Sequence, residues 1–401
     1  MKNISDVREK CFGCTACYSA CPTNAIEMCE NEEGFLFPTV NAEKCISCGK
    51  CKQTCPAYII VKEREINFYA FINQDENVLL NSTSGGFFSA AIEIYKPDFV
   101  CGAILDDNLV VRHVVTNSED IIDKMKGSKY VQSILEDSFV NIQDKLLKGY
   151  KVLASGTSCQ VQGLLNFLKN GNIPTENLLT IDLICHGVPS PKMFKDYLNN
   201  YIENTDNAIV FYKSRSKKYG WGSKLGVLNY LQTIEMSNSK VDNTSMSANL
   251  WQNAFFSDYA IRECCYSCPF CSPHKPSDIT MGDFWGVENI LPQVDYQKGC
   301  SLVICHSAKG RDLINGLSVI KLDEKQYNDA ISKQSRLVKP IEKPKDRKQF
   351  WEDYKKMGFK GIAQKYFRFT LLNKFLMKLY IVLVNIGSFR IANKIARKIF
   401  Y

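Results

Sequence analysis

The sequence predicts three consecutive parts: a small α+β module rich in cysteine, a larger α/β domain, and a basic helical tail. Eight of the 18 cysteines lie in two matched runs before residue 60. Apolar segments typical of strands and helices alternate between residues 67 and 202, which is the pattern of an α/β domain with a partly parallel sheet. The segment 354–401 contains eleven Lys or Arg and no Asp or Glu.

Both cysteine runs have the spacing C-x2-C-x2-C-x3-C-P of bacterial ferredoxins with two [4Fe-4S] clusters. Three thiolates spaced in this way bind one cluster from a single loop, and the fourth normally binds the other cluster. The alternatives are zinc and disulfides, but zinc sites seldom use four cysteines in so tight a run, and matched repeats are unusual for disulfides. The spacing predicts one cluster on Cys11, Cys14, Cys17 and Cys55, and a second on Cys45, Cys48, Cys51 and Cys21.

Apart from its cysteines, the composition is that of an ordinary globular protein. The chain has 401 residues, 45% of them hydrophobic and 23% charged, which suffices for two or three domains. In the reducing cytosol, so many cysteines indicate metal binding. Residues 1–10 are polar and lack the apolar core of a secretory signal, so we expect a cytoplasmic protein.

The order of the apolar segments predicts the elements of the α/β domain. Residues 34–40 are expected to form a strand and turn within the cysteine module. Further strands are predicted at 67–73, 99–105, 109–115, 151–154 and 178–184, and helices at 87–95, 133–147, 161–169 and 191–202. The polar segment 221–247 is interpreted as an insertion or lid, and 340–347 as a linker. The predicted divisions are therefore 1–60, 61–150, 151–335 and 336–401, the middle two being parts of one domain.

The tail combines its eleven cations with many apolar residues. Its longest uncharged apolar run, 379–384, is far short of the roughly 20 residues that span a bilayer. The pattern predicts a basic pair of amphipathic helices on an anionic membrane surface, at the inner face of the membrane. The alternatives are docking on the body of the protein or on an acidic partner. Nucleic acid is not expected as a partner, because the apolar face is too large.

The remaining cysteines suggest a further metal site. Cys159 and Cys185 follow predicted neighbouring strands, where α/β sheets carry their functional residues, and Cys265 and Cys268 have C-x2-C spacing. These four are a candidate ligand set for a third cluster. The alternative is a local zinc site formed by Cys264, Cys265, Cys268 and Cys271. Four other cysteines have no ligand-like spacing and are interpreted as packing residues: Cys29, Cys101, Cys300 and Cys305.

Several motifs in a fixed order resemble the beta subunits of coenzyme F420-reducing hydrogenases and dehydrogenases and their bacterial relatives. With the cysteine module, the resemblance covers residues 10 to about 310. The motifs are Ser84-Gly-Gly86, Gly127-Ser-Lys-Tyr-Val-Gln132, Gly156-Thr157-x-Cys159-Gln160, Cys185-His-Gly-Val-Pro-Ser190, Arg262…Cys265-x-x-Cys268, Asp278-Ile-Thr-x-Gly-Asp-Phe-Trp285 and Lys298-Gly299.

The resemblance implies a domain that binds FAD, carries its own iron–sulfur cluster, and passes electrons to or from a hydride-carrying substrate or deazaflavin. The sequence departs from the family pattern at Ser158, where relatives usually have proline, and in the extra Cys264 and Cys271. It lacks a hydrogenase-type nickel-site motif, so the chain alone is not expected to react with hydrogen. Coenzyme F420 is one candidate partner, although no residue identifies it.

Candidate flavin-binding residues lie in three glycine-containing stretches. Backbone N–H groups at a helix start suit a pyrophosphate, and no G-x-G-x-x-G fingerprint supports a Rossmann domain instead. Asp283 is expected to line the same site, with a buried capping role as the alternative. The candidates in the three stretches are Ser84, Gly85, Gly86, Gly127, Ser128, Lys129, Tyr130, Gly156 and Thr157.

His186 is a candidate proton donor beside the flavin, with a structural histidine as the alternative. A cysteine hydrolase with Cys159 as nucleophile and His186 as base is disfavoured, because no oxyanion motif accompanies the pair. We therefore expect an iron–sulfur flavoprotein oxidoreductase with a redox partner protein and a small-molecule substrate. The alternative is a non-catalytic electron-transfer subunit of a larger redox complex.

Overall fold

The computed structural model of the protein describes residues 3–58, 63–218, 220–222, 230–243 and 245–400. Its N-terminal module contains an antiparallel hairpin of β1 (Ile26–Glu30) and β2 (Leu36–Val40). Two short helices, α1 (Ala16–Ser19) and α2 (Lys50–Thr54), lie within the two cysteine runs. Each begins after a left-handed residue, Thr15 with a φ of 57° and Gly49 with a φ of 77°. The two cysteine runs therefore share one local backbone geometry, a left-handed residue followed by a short helix.

The main domain is built on an eight-stranded mixed sheet with the order β13-β3-β12-β11-β7-β6-β4-β5. The four adjacent strands β11, β7, β6 and β4 are parallel, and the remaining pairings are antiparallel. The strands are β3 (Asn67–Phe71), β4 (Phe99–Leu105), β5 (Val111–Thr116), β6 (Val152–Ser155), β7 (Leu178–Leu183), β11 (Ile279–Asp283), β12 (Ser301–Cys305) and β13 (Val319–Lys321). A separate three-stranded sheet contains β8 (Ile209–Lys213), β9 (Thr233–Met236) and β10 (Val241–Asp242).

Helices cover both faces of the large sheet. The helices before the tail are α3 (Glu76–Asn81), α4 (Phe87–Tyr95), α5 (Glu119–Met125), α6 (Ser138–Leu147), α7 (Ser158–Asn170), α8 (Pro191–Thr205), α9 (Leu250–Phe256), α10 (Val287–Ile290), α11 (Ala308–Asn315) and α12 (Glu324–Lys333). On β6, Val152 and Ala154 share a core with Phe139 of α6 and Leu164 of α7, whereas Leu153 faces the core of α4 and α11. Burial on both faces explains the continuous apolar strands of the sequence.

Two predicted helix starts are wrong for identifiable reasons. The helix predicted over 133–147 begins only at Ser138, because the backbone before it pairs with β5: Ile134 and Val111 form a hydrogen bond. The helix predicted over 161–169 begins earlier, at Ser158, because Thr157 and Gln160 form a capping box. Part of the predicted lid, residues 223–229 and 244, lies outside the described residues.

The tail consists of three helices: α13 (Arg347–Tyr366), α14 (Leu371–Asn385) and α15 (Phe389–Phe400). The predicted linker ends at Arg347, which starts α13 and forms a bidentate ion pair with Glu33 of the β1–β2 hairpin, at 2.9 and 2.6 Å. Among the described residues, no helix combines the length and apolar character needed to cross a membrane.

Candidate iron–sulfur sites and cofactor cavity

The second predicted cluster corresponds to a pocket in the N-terminal module that is lined by Cys21, Cys45, Cys48 and Cys51. The Ala25 N–H donates to Cys21 Sγ at 3.2 Å. Although burial acts in the opposite direction, hydrogen bonds of this kind lower the pKa of Cys21. A lowered pKa favours the thiolate that binds metal. The four side chains therefore fit the cluster that the spacing predicts.

The other predicted set, Cys11, Cys14, Cys17 and Cys55, is buried, each residue being 6–7% exposed. Burial raises the pKa of Cys17, and the neighbouring thiols of Cys11 and Cys55 raise it further. Burial likewise raises the pKa of Cys55 to about 12. Thiols packed in this way ionise only beside a cation, and the irons of a cluster supply that charge. This donor set also fits a cluster.

Arg262 fixes the N-terminal module to the main domain. It is 1% exposed, and its guanidinium donates to Cys11 O at 2.7 Å, Leu36 O at 2.8 Å and Gln132 Oε1 at 3.0 Å. Gln132 in turn donates to Phe12 O at 2.9 Å. The first cluster loop is therefore positioned by two residues of the sequence motifs, neither of which was predicted as a site residue.

The structure brings Cys159, Cys185, Cys265 and Cys268 together. Cys159 lies in the first turn of α7, Cys185 follows β7, and the C-x2-C pair lies in and after a short 3-10 helix. Burial raises the pKa of Cys159 well above its ordinary value, and the thiols of the other three add to the rise. The four predicted ligands are thus neighbours, although 109 positions separate the first from the last.

The two extra cysteines adjoin this group in different ways. Cys271 contacts the thiol of Cys268, whereas Cys264 contacts Cys265 and is buried in the same core as Phe12. Because Cys159 and Cys185 lie against Cys265 and Cys268, they are not the separate core residues that the local zinc site requires. The ligand set of a third cluster stays a prediction.

The first N-terminal set and the third set are adjacent across α7. Burial, the thiols of Cys55 and Cys17, and that of Cys159 all raise the pKa of Cys14. Gly163, one turn after Cys159, faces the same thiol: a Cβ at this position would lie 3.0 Å from Cys14 Sγ. The absence of a side chain at Gly163 allows this close approach.

A large cavity of about 430 Å³ lies at the carboxyl ends of β6, β7 and β11, and Cys185 forms part of its wall. This is where open α/β sheets bind ligands. Gly85 is not part of the lining; it packs beneath the loop against Phe71 and Ser301. The other predicted residues all line the cavity: Ser84, Gly86, Gly127, Ser128, Lys129, Tyr130, Gly156, Thr157, Asp283 and His186.

Hydrogen bonds fix the loop that precedes α4. The Gly85 N–H donates to Ser301 Oγ at 2.9 Å, and Gly86 caps the helix with a φ of 80°. Lys217 donates to three carbonyl oxygens, Leu79 O at 2.6 Å, Ser84 O at 2.5 Å and Lys298 O at 2.6 Å. These hydrogen bonds therefore fix the position of the cavity wall at the start of α4.

The cavity is positively charged. Four cations line it, and the single carboxylate among its described lining residues is Asp283, whose Oδ2 accepts from Arg215 at 2.6 Å. Asp283 is therefore paired rather than free. Lys129 donates to the carbonyls of Lys124 and Gly127 at 2.6 and 3.2 Å, and burial lowers the pKa of its ammonium to about 7. The four cations are Lys126, Lys129, Lys333 and Arg336.

His186 is held at the cavity wall by Asp258. Its Nε2–H donates to Asp258 Oδ1 at 2.7 Å, and its ring packs against Phe255 with ring centroids 4.9 Å apart. The carboxylate fixes the orientation of the ring and the proton on Nε2, so Nδ1 is the nitrogen available for proton exchange.

Comparisons with known proteins match two parts of the chain. Residues 10–59 match the 4Fe-4S dicluster domain, and residues 149–329 match the C terminus of the coenzyme F420 hydrogenase/dehydrogenase beta subunit. The chain is therefore an iron–sulfur protein of the oxidoreductase class. More particularly, it contains a C-terminal domain of the coenzyme F420 hydrogenase/dehydrogenase beta subunit type and has a dicluster domain at its N-terminus, which confirms the predicted resemblance.

Among solved structures, one similar chain comes from the F420-reducing [NiFe] hydrogenase complex of Methanosarcina barkeri. The two chains share 16% sequence identity with a TM-score of 0.42, and the match covers 70% of this chain and 97% of that chain. No curated protein matches this chain.

Proposed function

We propose that the protein is an iron–sulfur flavoprotein oxidoreductase. Electrons pass between the N-terminal clusters and a two-electron donor or acceptor at a flavin in the large cavity, through a third [4Fe-4S] cluster. The observation that carries this proposal is the unbroken order of the sites. The first N-terminal set adjoins Cys159, Cys159 adjoins Cys185, and Cys185 is part of the cavity wall.

The cavity has the features that a dinucleotide flavin needs. Its cations and the N-terminus of α4 at Gly86 suit a pyrophosphate, and the rings of Tyr130, Phe256 and Trp285 in its lining offer apolar surfaces for a flat ring system. We therefore assign FAD to it. A bound flavin would supply the conversion between one-electron steps and a two-electron transfer.

His186 is proposed to exchange a proton with the bound ligand. Its Nε2–H is committed to Asp258, which leaves Nδ1 for this role. The small-molecule substrate is expected to be anionic, because Lys333 and Arg336 line the cavity together with Lys126 and Lys129. Coenzyme F420, named in the family description, is one candidate.

The second candidate function is a non-catalytic electron-transfer subunit. It is favoured by the surface beside the second cluster, where Cys48 is exposed and Ile46 is 65% exposed. A redox partner protein could exchange electrons there. A flavin that reacts with a small-molecule substrate would distinguish an enzyme from such a subunit.

We also propose contact between the tail and a membrane surface. The outer face of α14 exposes apolar side chains at intervals of three or four residues, with Lys374 and Lys378 exposed beside them. This pattern suits an interfacial helix on anionic lipid, at the inner face of the membrane. The exposed residues are Leu371, Phe375, Leu379, Val382 and Ile386.

Anaerobic purification, with iron and sulfide counts and identification of heat-released flavin, tests the proposal. We expect about twelve irons, since three four-iron clusters are proposed, and one FAD per chain. About eight irons without flavin would overturn it. About twelve irons without flavin, in a protein that reduces a partner but no small molecule, would favour the electron-transfer subunit.

A further inference from the structure

Lys275 is a buried lysine beside the third cysteine set. Its side chain is 2% exposed, and its ammonium donates to Phe270 O at 2.6 Å and to Ser158 Oγ at 3.3 Å. No ion pair of Lys275 is found in the parts of the chain that the structure describes. Burying an ammonium is unfavourable unless a negative charge compensates for it.

Three cysteines lie near Lys275: Cys185 and Cys268 of the third set, and Cys271, which adjoins it. Burial raises the pKa of Cys185 to about 12, and the charge of Lys275 opposes that rise. Contact with Cys271 and burial raise the pKa of Cys268, and Lys275 again acts in the opposite direction. The ammonium therefore lies within electrostatic range of the thiolates that a cluster would bind.

The nearby carboxylate of Asp182 has another partner. Asp182 is fully buried, and its Oδ1 accepts from Thr280 Oγ1 at 2.5 Å. Thr280 in turn accepts from the Nε2–H of His306 at 2.8 Å. Burial raises the pKa of Asp182, whereas the charge of Lys275 and the hydrogen bond from Thr280 act in the opposite direction. Asp182 is therefore the carboxyl whose influence on Lys275 the test must separate from that of a cluster.

The first N-terminal set has a different electrostatic environment. After burial, the charges that raise the pKa of Cys17 are those of other thiols. For Cys55, Asp6 contributes a further negative charge. Lys275 is thus a buried cation beside the thiols of the third set. At the first set, Asp6 adds a negative charge, and the nearby guanidinium of Arg262 binds the backbone oxygen of Cys11.

We propose that Lys275 is a positioning residue that raises the reduction potential of the third cluster. The inference rests on the proposed function, because it needs the third cluster. A [4Fe-4S] cluster with four thiolates is anionic and becomes more so on reduction, so a nearby fixed cation stabilises the reduced form. The first cluster loses one electron, the third gains it, and no bond or proton is involved. Electrons are thereby drawn toward the cavity.

The test is an EPR-monitored redox titration of the anaerobic holoprotein. We compare Lys275→Gln, which keeps the hydrogen-bond donors, with Lys275→Arg, which keeps the charge. The Gln variant should shift one cluster to lower potential and leave the two N-terminal clusters unchanged, whereas the Arg variant should remain close to the unmodified protein. Lys309→Met is the matched control, because this lysine binds Thr175 O and Leu178 O at the opposite end of β7.

Three unchanged potentials in a Gln variant with its full iron content would overturn the inference. The comparison is repeated in an Asp182→Asn background, where the shift should persist; its disappearance would mean that Lys275 only balances this carboxyl. If the Gln variant loses iron, the titration is repeated with Lys275→Met, which also removes the charge. A lowered third potential would then support the inference, and an unchanged one would overturn it. About eight irons in the unmodified protein would overturn the proposed function, and the inference with it.

Discussion

Arg262 Nε donates to the carbonyl oxygen of Cys11 at 2.7 Å, although 251 positions of sequence separate the two residues. The same guanidinium packs over the ring of Phe37, 4.3 Å from its centroid. One side chain of the main domain therefore contacts both a ligand loop and the hairpin of the N-terminal module. The distance between the first cluster and the third set depends on this contact.

Replacing Arg262 should weaken the attachment of the N-terminal module to the main domain. Arg262→Met leaves two buried acceptors and one partly buried acceptor without this donor, and each buried one costs about 1–3 kcal/mol. We expect a large loss of stability and a slower reduction of the third cluster by the first, measured by thermal unfolding and stopped-flow reduction under anaerobic conditions. Arg368→Met, in the exposed tail, is the control and should change neither. Equal effects of the two substitutions would contradict the role of Arg262.

Cysteine substitutions distinguish the two candidate metal sites. Cys265→Ala should remove about four irons, one cluster, whereas Cys264→Ala should retain them, because Cys264 is expected to be a core residue. The measurement is iron content per chain with the EPR spectrum of the reduced protein. A local zinc site predicts that both substitutions release zinc and leave iron unchanged.

Binding of FAD should weaken as the pH rises above about 7. In the free protein, burial lowers the pKa of Lys129 to about 7, so its ammonium loses the proton above that value. A bound pyrophosphate favours the ammonium and raises its pKa, so binding takes up a proton between the two pKa values. Affinity should be flat below about pH 7 and fall above it by up to about tenfold per pH unit.

Fluorescence titration of flavin-depleted protein with FAD measures this dependence. Lys129→Met should bind FAD more weakly at pH 6.5, a value chosen to lie about half a unit below that pKa, and its affinity should be independent of pH. Lys148→Met, on the exposed end of α6, should behave like the unmodified protein. A pH slope that survives in Lys129→Met would contradict the assignment.

The exposed face of α14 should bind anionic vesicles. Phe375→Glu and Val382→Glu place charges on a face that is 64% and 55% exposed at these positions, so folding should be preserved while vesicle binding is lost. Co-sedimentation with phosphatidylglycerol vesicles is the measurement. Val210→Glu, at a 64% exposed position on β8, is the matched control. Equal sedimentation of all three variants would show that this face of α14 does not bind the vesicles.

Local patterns predicted the parts of the protein that depend on neighbouring residues. Cysteine spacing grouped Cys21 with Cys45, Cys48 and Cys51 around one cavity, and the apolar run predicted α4 with its observed bounds, Phe87–Tyr95. Long-range contacts were not predictable in this way. The pairing of residue 134 with β5 and the contact between Arg262 and the first loop arise from tertiary structure, which no local pattern records.

Two lysines show the same limit. Lys217 and Lys275 look like ordinary surface lysines in the sequence, but in the fold Lys217 is half-buried and Lys275 is buried. The carbonyl acceptors of Lys217 include Leu79 of α3 and Lys298, both distant in sequence, whereas the carbonyl acceptor of Lys275 lies five residues earlier. Only the folded chain brings these acceptors to the two ammonium groups.

The ion pair between Arg347 and Glu33 has a consequence for biosynthesis. Through this ion pair the first helix of the tail, α13, binds the hairpin of the cysteine module, and Lys355 of α13 also contacts Glu32. During translation, these contacts cannot form until the α13 segment has left the ribosome. The cysteine module therefore leaves the ribosome early, but its contacts with α13 form late. In the interval, assembly factors can reach its thiols.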